Sequence, residues 1–503
     1  MRSKKALKNI IYSIIYSGVS VLYGLIVPKL LIENFGSEMN GFITSVIQIF
    51  GYLVLIHAGV GGVVKAKLYK PISQNDFNQV NNILSATKKF FNKIGYISIL
   101  STIILSLIYP VLINTTLQND FIGLMIFFIS LHFTFQYFLG ISYQLWLTAS
   151  GKEYVNNFSQ TIALITTIIA IYLMTTFNTS ILIIQIVMSL ILVTRVIYIN
   201  LYTKMKYHLR IKKKASSNKL KDRWDGVAHT IAYFVHTRID IILISIFLTL
   251  QEVSVYAIYA MVISGVKIII TTVVRAFEPF LGNMISKEEN NILIKSFLSF
   301  NTIIHILITI LFSSTLILII PFLKIYTMNF SDYNYINSVL ALTLISAELI
   351  YMLRKPLVSI ISAAGHYKET KVAAFIEMGI NVFLSIMLIN IYGVIGLVLS
   401  TLIAMLFRLV YSIIYVNKNL IKIKLSFFIK RFLITLIMIY SFFLLFDLID
   451  IQININYYDW IIKSFVVVII ITIITSVINY LFYNSHIRYI MKRIKKTMTL
   501  RSK

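Results

Sequence analysis

The chain has 503 residues, 58% of them hydrophobic and only 13% charged, with a formal net charge of +27 and no cysteine. Soluble domains hold roughly 45–50% apolar and about 25% charged residues, so this composition describes a polytopic membrane protein. It also excludes disulfides, thiolate metal sites and a cysteine nucleophile. A positive balance of this size would suggest nucleic acid in a soluble protein; in a membrane protein the placement of Lys and Arg decides, because they are held on the cytoplasmic side.

Arg2, Lys4, Lys5 and Lys8 precede an apolar run that continues to Ile32 without a small-residue cleavage site. It therefore reads as a first spanning helix and not as a secretory signal. Windows of about 20 apolar residues, enough to cross a bilayer, fall at 10–32, 41–64, 94–117, 121–147, 158–177, 181–202, 224–247, 253–280, 297–323, 336–362, 372–389, 392–416, 432–446 and 460–483. With the N-terminus inside, the segments expected in the cytoplasm hold 36 of the 46 Lys and Arg. Losing one helix would exchange every later loop and destroy that asymmetry, so both termini are expected on the cytoplasmic side.

Between the second and third windows, Phe77, Val80, Ile83, Leu84, Phe90 and Phe91 fall roughly on one face, with Lys88, Lys89 and Lys93 elsewhere. This predicts an amphipathic helix on the inner leaflet. From Lys204 to Arg223 there are nine Lys or Arg, and the tail after His486 is again basic; both suit an anionic membrane surface.

A weak internal repeat joins distant parts of the chain. Glu38-Met39-Asn40-Gly41-Phe42 follows the first window and Glu252-Val253-Ser254-Val255-Tyr256 the seventh; Ala149-Ser150-Gly151 follows the fourth and Ala363-Ala364-Gly365 the tenth. One offset of 214 serves both pairs. The expected fold is therefore all-α: about fourteen transmembrane helices, as two six-helix bundles in pseudo-twofold arrangement plus two C-terminal helices. In residue numbers this gives a first bundle at 1–202, a basic linker at 203–223, a second bundle at 224–416, two further helices at 417–483 and a basic tail at 484–503.

The seventh window carries His229, His236, Arg238 and Asp240. A charge at mid-bilayer costs about 2.5–3.5 kcal/mol on the translocon scale, so these groups must face protein or water. His229, Tyr233, His236 and Asp240 share a helical face; a polar seam between buried helices and a water-filled cavity both fit that spacing. Further stripes run through Ser264, Lys267, Thr271 and Glu278, through Glu348, Tyr351, Lys355, Ser359 and Ser362, and through Glu377, Asn381 and Ser385. Lys29, Lys324, Lys463, Arg195, Arg275 and Arg408 sit nearer the ends of their windows, where snorkelling to the headgroups explains them. Together the stripes suggest a partly cationic cavity in an apolar wall, suited to a phosphate or pyrophosphate. The substrate-binding cations expected there are Arg238, Lys267, Arg354, Lys355 and Lys29; Asp240, Glu348 and Glu377 would couple an ion or balance charge, with His236 and Asn381 as further polar lining. No phosphate-binding Gly-x-x-x-x-Gly-Lys loop and no metal-ligand spacing occurs, so neither a resident cofactor nor a metal is expected.

Four places resemble one family: Phe35-Gly36-Ser37-Glu38-Met39-Asn40-Gly41; Gly59-Val60-Gly61-Gly62 running into Leu68-Tyr69-Lys70-Pro71; Arg238-Ile239-Asp240-Ile241-Ile242-Leu243-Ile244-Ser245 followed by Val255-Tyr256; and Ala363-Ala364-Gly365-His366-Tyr367-Lys368 through Glu377, Asn381, Ser385 and Gly393-Val394-Ile395-Gly396. The sequence resembles the Wzx-type polysaccharide flippases of the multidrug/oligosaccharidyl-lipid/polysaccharide (MOP) exporter superfamily. That resemblance implies a flippase, not an enzyme, moving an undecaprenyl-pyrophosphate-linked oligosaccharide from inner to outer leaflet of the bacterial cytoplasmic membrane, for capsule, exopolysaccharide or O-antigen. Its implied partners are the lipid-linked glycan, the anionic inner leaflet, and the polysaccharide polymerase and glycosyltransferases of the same route, with no nucleic acid. Fourteen helices resemble the peptidoglycan-precursor flippases, but the arginine cluster of their first two helices has no match beyond Lys29. The competing reading is a cation-coupled multidrug antiporter of the same superfamily, and a third is a polymerase or ligase, disfavoured by the short external loops.

Overall fold

The computed structural model describes residues 2–207, 209, 227–449 and 456–501. Most of the expected basic linker, the first residues of the seventh window and the last two residues of the tail lie outside the described residues. Among the described residues no strand forms; the protein is all-α and polytopic. Two compact units are present, Met1–Ala257 and Ile258–Lys503.

The first unit contains α1 (Arg2–Phe50), α2 (Leu53–Ser73), α3 (Phe77–Leu112), α4 (Asn119–Phe135), a π-helical turn (Gln136–Gly140), α5 (Ile141–Ala149), α6 (Glu153–Thr176), α7 (Ile181–Tyr207), α8 (Val227–Phe247) and the first turns of α9 (Leu250–Ser286). The second contains the rest of α9, α10 (Asn290–Tyr326), α11 (Ser338–Leu353), α12 (Lys355–Ala363), α13 (Lys371–Asn419), α14 (Leu425–Ile449) and α15 (Tyr457–Arg501).

In their described parts, the fourteen apolar windows lie mostly on helices. Ten continuous helices among the described residues are long and apolar enough to cross a membrane. Among the described residues, the other four windows fall on the limb of α1 from Gly41 continued by α2, on α8, on the pair α11 and α12, and on the second limb of α13. α1 turns at Gly36 (φ 83°, ψ 167°) and α13 at Gly393 (φ 59°, ψ −141°), both backbone states that only glycine adopts at low cost.

The repeat is visible in backbone hydrogen bonds. At the end of α5, Ser150 donates to the Trp146 carbonyl, Lys152 to Leu147 and Gly151 to Thr148; at the end of α12, Ala364 donates to Ile360, His366 to Ile361 and Gly365 to Ser362. Every partner is shifted by 214, and Gly151 (φ 68°) and Gly365 (φ 75°) both take the left-handed state that ends a helix this way. The link between α2 and α3 turns on Asn75 (φ 54°) and that between α9 and α10 on Glu288 (φ 57°), 213 positions later.

The expected surface helix before the third crossing does not form. Residues 77–112 make one 36-residue helix, started by the Asp76 side chain accepting from the Gln79 N–H at 2.9 Å. Of its apolar face, Val80, Ile83, Leu84 and Phe91 are buried in the first unit, Phe90 is half-buried and Phe77 is exposed. The part of that face covered by protein has no reason to lie on lipid.

Candidate functional site

In the second unit, three cations gather around Tyr351 of α11, and two carboxylates and Arg408 are joined to them by ion pairs. Lys267 of α9 meets Glu348 at 2.6 Å, one turn before that tyrosine. Its Nζ also lies 5.3 Å from the Tyr351 ring centroid, and the Arg354 guanidinium lies at 5.2 Å. Lys355 is nearest, 4.2 Å from the centroid, and donates to the Tyr351 hydroxyl at 2.7 Å. These three contacts use the electron-rich ring face as a weak counter-charge.

The local backbone explains how adjacent residues 354 and 355 both reach the ring. Pro356 lacks an N–H, and its ring would clash with the carbonyl four residues back. The helix therefore breaks between α11 and α12 at Arg354. There Arg354 ion-pairs with Glu377 of α13 at 3.0 Å, and Glu377 meets Arg408, from the other limb of α13, at 3.3 Å. Arg408 also donates to the Thr370 carbonyl at 3.2 Å. Arg354, Glu377 and Arg408 are all less than 9% exposed. Arg408 is thus a buried ion-pair partner and does not snorkel.

Glu348 balances Lys267, and Glu377 is shared by two arginines. Among the described residues no carboxylate lies within ion-pair distance of Lys355. The cluster keeps an excess of positive charge, and Lys355 is where that excess is least compensated. Asn381, expected in the same lining, is 2% exposed and donates to Thr401 on the opposite limb of α13 at 2.8 Å.

The remaining expected residues lie in the first unit. Asp240 on α8 is 4% exposed and accepts a 2.7 Å hydrogen bond from the Tyr256 hydroxyl. Arg238 donates to the Gln48 side chain and lies over Gly51, where an added Cβ would come within 2.6 Å of its Nη1. Lys29 meets Glu33 on its own helix at 3.9 Å. The side chains of His229, Tyr233 and His236 lie outside what the structure describes.

Charge counting by segment missed one group. Arg431, counted among the basic residues before the thirteenth window, lies on α14 and is 1% exposed. It donates to Asn479 of α15 and, at 3.0 Å, to the Thr302 carbonyl of α10, beneath the Tyr483 ring at 4.5 Å. Nearby, His305 and Thr435 are 2.9 Å apart. Only the helical spacing of Arg431 with Thr435 hinted at an inward face. Among the described residues no His, Asp or Glu group forms a metal site.

Solved structures share this arrangement of helices. The lipid II flippase MurJ in an inward closed conformation aligns over 94% of this chain and 99% of its own, with a TM-score of 0.74 and 18% identity. The chain has the fold of the MOP superfamily. An inward-facing multidrug-resistance MATE transporter of that superfamily matches over 79% of this chain and 94% of its own (TM-score 0.61, 11% identity). The MATE multidrug transporter DinF-BH matches over 83% and 95% (TM-score 0.54, 14% identity). No protein-family profile and no curated protein matches the sequence.

Proposed function

We propose that the protein is a flippase of the bacterial cytoplasmic membrane that carries an undecaprenyl-pyrophosphate-linked oligosaccharide from inner to outer leaflet by alternating access. The supporting observation is the excess of cations around Tyr351, above all Lys355 without a carboxylate partner among the described residues. A pyrophosphate crossing a water-poor region needs positive charge waiting there, and Lys supplies it as a compact point charge. The ion pairs on either side hold the neighbouring cations in place, leaving Lys355 to meet the incoming anion. A MurJ-like fold of similar length agrees with a lipid-linked substrate.

The test is flipping of a fluorescent lipid-linked oligosaccharide pyrophosphate in proteoliposomes. Lys355→Gln should slow flipping about ten- to hundredfold, the effect of one lost charge-assisted hydrogen bond, and Lys355→Arg should retain most of the rate. Wild-type flipping by Lys355→Gln would remove this reading. The likeness to multidrug transporters keeps a cation-coupled drug antiporter as the second reading. The cations around Tyr351 would repel cationic drugs, so efflux of a cationic dye unaffected by Lys355→Gln would favour the antiporter. Both termini are assigned to the cytoplasm; single cysteines at Thr116 and Asn334 should label only from outside.

A further inference from the structure

Interruptions at matching places in two repeats of a membrane transporter point to where a substrate binds. Here the second repeat is broken at Arg354, and 214 positions earlier stands Gly140, the last residue of the π-helical turn between α4 and α5. In that turn the Ile141 N–H reaches back five residues to the Gln136 carbonyl. Such a turn widens the helix locally and is often found at functional sites. α7 closes on it: Asn200 donates to the Leu139 carbonyl at 3.0 Å, and Val196 lies where a Gly140 Cβ would stand 3.0 Å away.

Arg195 comes from this same stretch of α7. It is 213 positions before Arg408, so each repeat brings an arginine of its sixth helix to the interruption of its fourth. In the second repeat Glu377 neutralises that arginine. In the first repeat the carboxylate is missing: the buried face of α13 at 373, 377, 381, 385 and 389 matches that of α6 at 159, 163, 167, 171 and 175, 214 positions earlier, which puts Ala163 where Glu377 stands. Among the described residues, Arg195 has no carboxylate within ion-pair distance and no hydrogen-bond acceptor, and its Nε is buried. It is the fifteenth residue of a 27-residue helix and its Nε is buried, so snorkelling to the headgroups does not account for it. His132 on α4 and Tyr16 on α1 lie within its electrostatic reach. One turn beyond His132, Gln136 donates to Gln144 at 2.8 Å.

We infer that Arg195, packed at the π-helical turn, forms an anion subsite of the first repeat that takes a phosphate group, with His132 beside it. Two sources share this chemistry: the pyrophosphate of a lipid-linked substrate, and the phosphodiester of an anionic phospholipid. The guanidinium fork suits either. The inference rests on the flippase reading for its role in transport but not for the binding itself.

The test uses the full-length protein in phosphatidylcholine nanodiscs, with inorganic pyrophosphate and farnesyl pyrophosphate as probes in calorimetry. Arg195→Gln should weaken Arg195-dependent binding about ten- to hundredfold, and Arg195→Lys should weaken it less. Ala163→Glu, which supplies the carboxylate of the second repeat, should reproduce the loss. In discs containing phosphatidylglycerol, native mass spectrometry reads the other source: retention of that lipid by wild type but not by Arg195→Gln assigns the site to bilayer headgroups. If neither pyrophosphate binding nor lipid retention depends on Arg195 or responds to Ala163→Glu, the inference is overturned. It is also overturned if Arg195→Gln melts lower than wild type in anion-free buffer, because protein partners then satisfy the arginine. Binding through Arg195 in a protein that flips nothing would defeat the flippase reading alone.

Discussion

Asn40 donates a 2.7 Å hydrogen bond to Ser254, and the two residues are 214 positions apart. Equivalent positions of the two repeats therefore touch each other, inside the first unit. Around this contact the second limb of α1 meets the start of α9, and Asn114 bridges to Thr249. Glu38, one turn of chain away, accepts from the Thr115 and Thr116 hydroxyls and the Thr116 N–H.

The close approach at this contact requires a glycine. A Cβ on Gly41 would fall 1.7 Å from the Leu250 carbonyl oxygen, whereas one on Gly18, on the same α1, would meet nothing within 4 Å. Gly41→Ala should destabilise by about 3 kcal/mol through overpacking, and Gly18→Ala should be neutral or stabilise by up to about 1 kcal/mol. Thermal melts of the two variants in detergent check both signs.

Glu377 should be worth more to stability than any other single carboxylate described here. Glu377→Gln leaves Arg354 and Arg408 buried without a counter-charge, a change that costs about 3–5 kcal/mol in buried pairs. Glu377→Gln combined with Arg408→Gln should recover a substantial part of that loss. A double-mutant cycle on melting free energies measures the coupling, and strictly additive losses would exclude it.

Glu38 carries a pH dependence, and it lies outside the crossings. Partial burial raises its pKa, but the hydrogen bonds from Thr116 and Thr115 together outweigh burial and hold the carboxyl below its usual range. A carboxyl with a lowered folded-state pKa stabilises fully above its unfolded value of about 4.3 and loses that contribution as pH falls through the folded value. Wild type should therefore lose stability below about pH 4.3 more steeply than Glu38→Gln. Parallel melting curves for the two would show that the threonine contacts do not persist in solution.

Arg431 ties the last two helices to α10 through Asn479 and the Thr302 carbonyl. Arg431→Ala should make α15 more sensitive to limited proteolysis while leaving the first unit resistant. Equal cleavage rates for wild type and variant would assign no clasping role to this residue.

Helices with unbroken apolar runs were legible from the sequence because length alone separates a membrane crossing from a surface segment. The stripe Glu348, Tyr351 and Lys355 was legible for a similar reason: helical spacing puts all three on one side. Arg354, adjacent to Lys355, reaches the same ring only because the helix breaks before Pro356, and no periodicity contains that break. Asn381 carried the same helical signal as Glu348 but faces Thr401, since a polar face does not say whether water or another helix will meet it. Residues 77–93 misled because an amphipathic face reads alike whether lipid or protein covers it. Arg195 lies close enough to the end of its apolar window to read as a snorkelling cation, and its isolation is visible only beside Arg408 and Glu377.

The turn at Gly393 has a mechanical consequence. A one-residue connection cannot lengthen, and Gly396 packs so tightly that a Cβ there would lie 2.2 Å from the Leu388 carbonyl oxygen. Rungs at Ser385 with Ser400, Asn381 with Thr401 and Glu377 with Arg408 climb the two limbs of α13 like a ladder. The pair must swing as a single lever. Whatever bending the second unit undergoes is then displaced to the neighbouring joint at Arg354 and Pro356, where one helical bond is already absent. The stiff hairpin and the soft joint share one carboxylate, that of Glu377, so neutralising it loosens the lever and the pivot together.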